Sequence, residues 1–431
     1  MESTSRKRQR KLYRDGFLGR RSKIPIAADE LERRALRRLS RQAGGYLAGG
    51  AGVERTMAAN RAAFDRYRIV QRMLRDVSRR DLSLELFGRR WPLPFALAPI
   101  GVLDLAHRDG DLAVARAAAE QGILFLASSQ SSFPLEEIAE AGGTGPRWFQ
   151  LYWSSRDELA HSFVTRAERA GYEAIVVTLD TTELGWRPRD LANGYLPFLA
   201  GRGIANYLSD SVFEGIKDEV GKEADEPPLH PGLLRPGLLG SLFEMISAWS
   251  EGPSGALRRG TGTLAAARKF LAIYSRPDLQ WSDLERLRTW TSLPILLKGI
   301  LHPADARRAL ETGVNGLIVS NHGGRQVDGA TAALDALPQV VRAAEGKLPV
   351  LFDSGIRCGA DMLKALALGA DAVLLGRPYA YGLALGGEAG VRSVITNFAA
   401  DFDANLGLSG HVSLAGLGPD LLHPSEEALG P

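Results

Sequence analysis

Eight short apolar runs recur along the chain, each bounded by glycine or a polar residue. They span Phe95–Ile100, Ile123–Ala127, Trp148–Tyr152, Ala174–Leu179, Pro294–Lys298, Gly316–Ser320, Pro349–Asp353 and Asp371–Leu375. Stretches with helical spacing lie between most of them, near Asp111–Gln121, Leu135–Ala141, Asp157–Ala170, 304–312, Leu334–Ala344 and 359–368. Continuously apolar strands alternating with helices belong to a parallel sheet covered on both faces. Eight such units predict a closed (β/α)8 TIM barrel. The competing arrangement is a doubly wound open sheet, but no GxGxxG turn follows the first run. Residues 1–90 predict a helical and irregular extension packed on the barrel, with Leu31, Leu36 and Leu39 at helical spacing. The barrel is expected over 91–390, and a C-terminal helix and tail over 391–431. The rhythm breaks between about Asp180 and Gln280.

In such barrels the active site lies at the C-terminal strand ends. Here those ends carry Pro99-Ile100-Gly101, Ser128, Gln150 and Tyr152, Thr178 and Asp180, Lys298, Ser320-Asn321-His322, Asp353-Ser354-Gly355 and Gly376-Arg377. His322 is the one histidine among them. It can take a proton near neutral pH if an acid supports the imidazolium, and Asp180 is the candidate. Arg187 and Arg325 could hold a carboxylate through paired hydrogen bonds. Tyr152 offers a hydroxyl, and Lys298 a cation toward the barrel axis for a developing negative charge. After strands seven and eight, Asp353-Ser354-Gly355-Ile356-Arg357 and Gly376-Arg377-Pro378 sit where these barrels bind phosphate. A phosphorylated organic cofactor beside a histidine base and arginine clamps points to redox chemistry at a carbon bearing a hydroxyl and a carboxylate.

Composition narrows this further. The 431 residues are 45% hydrophobic and 24% charged, with a net charge of +3, too small to imply a nucleic-acid partner. The basic clusters at Arg6-Lys7-Arg8, Arg33-Arg34 and Arg37-Arg38 read as solvated helix faces. The single cysteine, Cys358, allows no intrachain disulfide and fits a cytoplasmic location. No stretch reaches the roughly 18 apolar residues of a membrane helix. Seven histidines without an HExxH or paired spacing offer no metal site.

Ser320-Asn321-His322-Gly323-Gly324-Arg325-Gln326 resembles the signature of the FMN-dependent 2-hydroxy acid dehydrogenases and oxidases, such as glycolate oxidase and lactate oxidase. Trp148–Tyr152, Thr178–Thr181, Leu297-Lys298-Gly299 and Asp353–Arg357 match in order, and the resemblance runs from about Arg37 to about Gly387. Gly185-Trp186-Arg187-Pro188-Arg189-Asp190-Leu191, with Ala98–Val102 and Gly376–Ala380, is similar to the lactate 2-monooxygenase branch. The resemblance implies FMN as cofactor and a small 2-hydroxy acid and O2 as partners. It implies no membrane or nucleic-acid partner, and a homo-oligomer, tetramer or octamer. It gives Tyr46, Arg187 and Arg325 to the substrate carboxylate, Tyr152 to the hydroxyl, and His322 with Asp180 to the base. Lys298 falls near flavin N1. Ala98, Pro99, Ile100, Ser128, Gln150, Thr178 and Ser320 become flavin contacts, and Gly355, Arg357, Gly376 and Arg377 the phosphate end, with Asp353 beside them. Gly101 implies extra space beside the flavin.

In relatives the segment over about 204–279 forms a lid. Here it carries Pro227-Pro228, Pro231–Pro236 and an amphipathic 242–249, and Thr181–Leu184 also departs from the branch, placing Glu183 near the substrate loop. The implied reaction is oxidation of an L-2-hydroxy acid, lactate or larger, with decarboxylation to the acid one carbon shorter. The alternative is a plain oxidase yielding keto acid and peroxide. A phosphate-binding isomerase explains the glycines but not Tyr46, Arg187 and Arg325 together. A non-catalytic scaffold explains neither His322 nor Asp180.

Overall fold

The computed structural model describes residues 3–217 and 265–424. Eight parallel strands close into a barrel: β1 Phe95–Leu97, β2 Phe125–Ser128, β3 Arg147–Leu151, β4 Ile175–Thr178, β5 Ile295–Lys298, β6 Gly316–Val319, β7 Val350–Phe352 and β8 Ala372–Leu375. Each pairs with its neighbour in chain order, and β8 closes on β1 with Val373 opposite Phe95. The expected (β/α)8 barrel is therefore present. Every strand residue but Arg147 is buried, one face toward the axis and the other toward the helices, which is why the strands read as unbroken apolar runs.

The two-residue period of a strand then sorts the side chains. Ala96, Leu126, Trp148, Val176, Leu296, Ile318, Leu351 and Leu374 fill the interior. Leu97, Phe125, Phe149, Val177 and Leu317 belong to the outer core. One step further along each chain, the same alternation brings Ala98, Ser128, Gln150, Thr178, Lys298, Ser320, Asp353 and Gly376 to the upper mouth. The floor is closed by an antiparallel pair, Leu84–Leu86 with Arg89–Trp91. Phe87 and Trp91 meet Trp148 edge-on, with centroids 5.4 and 5.5 Å apart. A helical and irregular reading of residues 1–90 misses this pair.

The single helical stretch expected over 28–47 is two helices, Ala28–Arg38 and Arg41–Ala48. Leu39 is extended, and the Ser40 hydroxyl accepts from the Ala43 N–H at 3.1 Å, capping a new helix that carries Tyr46 to the mouth. Tyr67–Ile69 pairs with Leu422–Pro424, joining the two flanks of the barrel. The expected lid over 204–279 is described only at its margins. They include helices Ala205–Leu208 and Ser211–Ile216 and a helical 265–273. Its proline-rich and amphipathic stretches at 227–236 and 242–249 lie outside the described residues. No helix among the described residues is long and apolar enough to cross a membrane.

Candidate active site

His322 sits just beyond β6 with φ +58°, a left-handed conformation that costs a non-glycine residue free energy. The surrounding turn holds it there. The His322 N–H donates to Ser320 Oγ at 3.0 Å, Gly323 N–H to Ser354 Oγ at 3.0 Å, and Gly324 N–H to the Asn321 carbonyl at 3.0 Å. Gly323 and Gly324 also take positive φ, and a side chain at Gly324 would strike Met57. The glycines of the signature thus let the chain reverse tightly and aim the imidazole inward. Its Nδ1 lies 2.8 Å from Asp180 Oδ1, and its Nε2 lies 3.4 Å from the Tyr152 hydroxyl.

Burial opposes charge on Asp180, but His322 and Lys298 hold its carboxyl below the ordinary range. An ionised Asp180 accepts only, so the proton of the neutral ring sits on Nδ1 and the Nε2 lone pair faces the pocket. Burial lowers the pKa of His322, while Asp180 works against that shift. The result is a neutral imidazole held in one orientation.

On the neighbouring strand end, Lys298 is buried and donates to Ser320 Oγ at 2.8 Å, with Asp353 Oδ2 at 3.1 Å. Asp353 therefore lies against the lysine as well as near the glycines of the phosphate end. Burial disfavours the ammonium, but Asp353 and Asp180 raise its pKa, so it stays charged. Ser128 Oγ donates to Gln150 Oε1 and Gln150 Nε2 to Thr178 Oγ1, both at 2.9 Å, forming a polar rung across three strand ends.

Arg187 and Arg325 lie side by side. Arg187 donates to the Arg325 carbonyl at 3.2 Å and to Gln326 Oε1 at 2.7 Å. Arg325 donates to the carbonyls of Tyr46 and Gly49, both at 2.7 Å, and stands 5.2 Å over the Tyr46 ring. Burial, then Arg187, then Arg377 push the Arg325 guanidinium below its ordinary range. Buried cations that repel one another gain most from an anion placed between them. Arg377 donates to the carbonyls of Gly323 at 2.9 Å and Gly49 at 3.0 Å, so the β8 loop is fastened to the β6 turn.

One pocket is lined by Tyr46, Ala98, Pro99, Ile100, Gly101, Tyr152, Arg187, Lys298, His322, Arg325, Asp353, Gly355, Arg357, Gly376 and Arg377. Of the residues read from the sequence, Asp180, Ser128, Gln150, Thr178 and Ser320 do not line it: Asp180 and Ser320 hold His322, and Ser128, Gln150 and Thr178 are bonded in a row. Gly101 does not simply leave room. A Cβ there would lie 3.1 Å from both Cβ and the carbonyl of Gln130, so the glycine also serves a close backbone approach. Glu183 is exposed and only its carbonyl takes part, accepting from Gln326.

Sequence alone gives no site role to Thr181, Leu184, Gln130, Phe198 and Tyr274, which also line the pocket, or to Ser354, which pins the β6 turn. Thr181 and Ser354 adjoin residues that were singled out. Nothing in the chain order signals Phe198 or Tyr274.

The donor set suits a flavin mononucleotide. A polar layer caps an apolar barrel, with a buried ammonium on one side. Glycines and two arginines gather at β7 and β8, and a Cβ at Gly376 would meet nothing closer than 3.9 Å. A (β/α)8 barrel with a histidine–aspartate pair, two adjacent arginines, and glycines and arginines gathered at β7 and β8 suits an oxidoreductase with a phosphorylated cofactor. The comparisons agree: the FMN-dependent dehydrogenase family model matches residues 35–424, and the chain belongs to that family. It is 41% identical over 394 residues to an L-lactate oxidase of Lysinibacillus sphaericus, covering 91% of this chain and 92% of the relative. It is 38% identical to a 4-hydroxymandelate oxidase of Amycolatopsis orientalis, covering 89% and 94%. The crystal structure of mandelate oxidase with (S)-4-hydroxymandelic acid superposes with a TM-score of 0.75 at 37% identity, covering 93% and 98%.

Proposed function

We propose that the enzyme oxidises an L-2-hydroxy acid with O2 and retains both the keto acid and the hydrogen peroxide formed, so that the peroxide oxidatively decarboxylates the keto acid to the acid one carbon shorter, CO2 and water. The observation that carries the oxidation is the juxtaposition of the neutral His322 Nε2 with buried Arg187 and Arg325 on one pocket wall. Arg187 and Arg325, with Tyr46, bind the substrate carboxylate and relieve their own repulsion. The carbinol group then lies between Tyr152 and His322. His322 accepts the substrate's proton at Nε2, and Asp180 stabilises the imidazolium through Nδ1. FMN, when bound, would supply the two-electron acceptor that lets oxygen serve as oxidant. Lys298 would present its ammonium to the cofactor ring. Arg357 and Arg377 with Gly355 and Gly376 would hold its phosphate.

Retention is supported by the Gly185–Leu191 stretch and by a pocket wall made from the chain after β4. Phe198, Leu184 and Tyr274 supply that wall and give room for a side chain larger than a methyl group to pack. The relative named L-lactate oxidase favours a second reading, release of keto acid and hydrogen peroxide. Aerobic turnover of L-lactate, L-mandelate and longer L-2-hydroxy acids, with CO2, keto acid and peroxide counted per O2, tests both. One CO2 and one shortened acid per O2 supports the proposal. Keto acid and peroxide in equal amounts overturns decarboxylation, and no O2 uptake with any L-2-hydroxy acid overturns the oxidation itself.

A further inference from the structure

The segment that follows β4 is fastened to the β1 loop by one ion pair outside the catalytic set. Arg202 Nη1 donates to Asp104 Oδ2 at 2.8 Å, with side chains 17% and 15% exposed. Asp104 does not move freely, because Ser132 Oγ donates to its Oδ1 at 2.8 Å and its own N–H donates back to Ser132 Oγ. Arg202 is equally confined. It lies between Gly201 and Gly203, both at positive φ, and a Cβ at Gly203 would stand 2.5 Å from Val102 Cγ2 and 3.1 Å from Phe198. The chain here presses directly on the β1 loop.

What the pair holds together is the pocket. Phe198, four residues before Arg202, is one wall. Gly101, three residues before Asp104, is the wall beside it, and Val102 N–H donates to the Gln130 carbonyl at 2.9 Å to fix that loop. Behind Phe198 stands Phe270, with centroids 4.9 Å apart, and Phe270 stacks on Tyr274 at 5.2 Å. Phe198 precedes the long insertion, while Phe270 and Tyr274 belong to its far margin. Among the described residues, Asp104–Arg202 is the one ion pair between the β1 loop and the chain leading into the insertion.

We infer that Arg202 and Asp104 are positioning residues that clamp the Phe198 wall against the Gly101 loop and thereby set which 2-hydroxy acid side chain is held. Neither touches the reacting atoms. The inference rests on the proposed hydroxy acid oxidation. A half-buried, hydrogen-bonded ion pair is strong enough to matter and weak enough to be replaced.

The test uses FMN-loaded full-length enzyme. Arg202→Met and Asp104→Asn each remove one charge, and the exchanged pair Arg202→Asp with Asp104→Arg restores the attraction. Steady-state rates are measured with the best L-2-hydroxy acid and with a bulkier and a smaller one. The single variants are expected to raise KM for the best substrate roughly tenfold at nearly unchanged kcat, and to flatten the ranking of side chains. The exchanged pair is expected to recover most of KM and the ranking. A merely structural pair would lower flavin content and melting temperature, and move kcat for all three substrates alike; that result overturns the inference. So do single variants with wild-type KM and ranking. Wild-type enzyme inactive on every 2-hydroxy acid would instead overturn the underlying oxidation.

Discussion

At the scale of single residues the site divides by what each side chain does. His322, Asp180, Lys298 and Arg325 are ionisable groups at the ends of apolar strands, and that contrast is visible in the bare sequence. Ser354, Thr181 and Gln326 act through hydroxyl and amide bonds to neighbours, which leave no pattern of charge or period. His322→Ala should retain flavin and lose turnover by ~10²–10⁴-fold, read from the visible flavin spectrum and initial rates. Wild-type turnover in that variant would remove His322 from the base role. Its pH dependence follows from burial, which favours the neutral ring. kcat/KM should rise with pH through a value below the ~6.5 of free imidazole, then stay level. Asp180 opposes that shift, so Asp180→Asn should move the rising limb to still lower pH while reducing the rate. A limb that moves upward would mean that Asp180 does not stabilise the imidazolium.

The elements show why the barrel was legible and its attachments less so. Strands buried on both faces are short, apolar and evenly spaced, and helices of amphipathic period separate them. The alternation within each strand then places the polar mouth without further assumption. The floor pair at Leu84–Trp91 is only three residues a strand and exposes Glu85, Arg89 and Arg90, so its sequence resembles a loop. Ser40 restarts a helix within a sequence of helical spacing. The β8 loop is the element proposed to hold the phosphate, and Arg377 serves it twice: it faces the pocket, and it fastens Gly323 and Gly49 through their carbonyls. Arg377→Ala should therefore lower the flavin recovered after dialysis, and Arg377→Lys should recover less than full retention, because one ammonium cannot span the same carbonyls. Full flavin content in Arg377→Ala would overturn the assignment.

Over the whole molecule, stability is where buried charge that serves no chemistry becomes visible. Asp111 opens the helix Gly110–Glu120, a placement that the helix dipole favours and that the sequence reading took as a helix start alone. The fold buries it completely. One carboxylate oxygen accepts the Ser132 N–H at 2.9 Å, while Oδ1 is buried without a partner. Burial raises its pKa to about 7, with the charge of Asp104 adding to the effect. The folded protein thus binds a proton that the unfolded chain releases near the ordinary aspartate value of about 3.9. Asp111 stabilises the fold fully below that value, and the contribution is lost as pH rises through about 7. His322, with its lowered pKa, pulls the other way, since acid must charge a buried neutral ring. Subtracting Asp111→Asn from the wild type separates the two. The amide keeps an acceptor for Ser132 and cannot ionise, so the variant should gain on the wild type steadily between about pH 4 and 7 and hold a constant advantage above. Melting temperatures of the FMN-loaded protein across that range give the measurement. A difference that does not change with pH would show that Asp111 is ionised in the fold, and that its unpartnered oxygen has found another source of stabilisation.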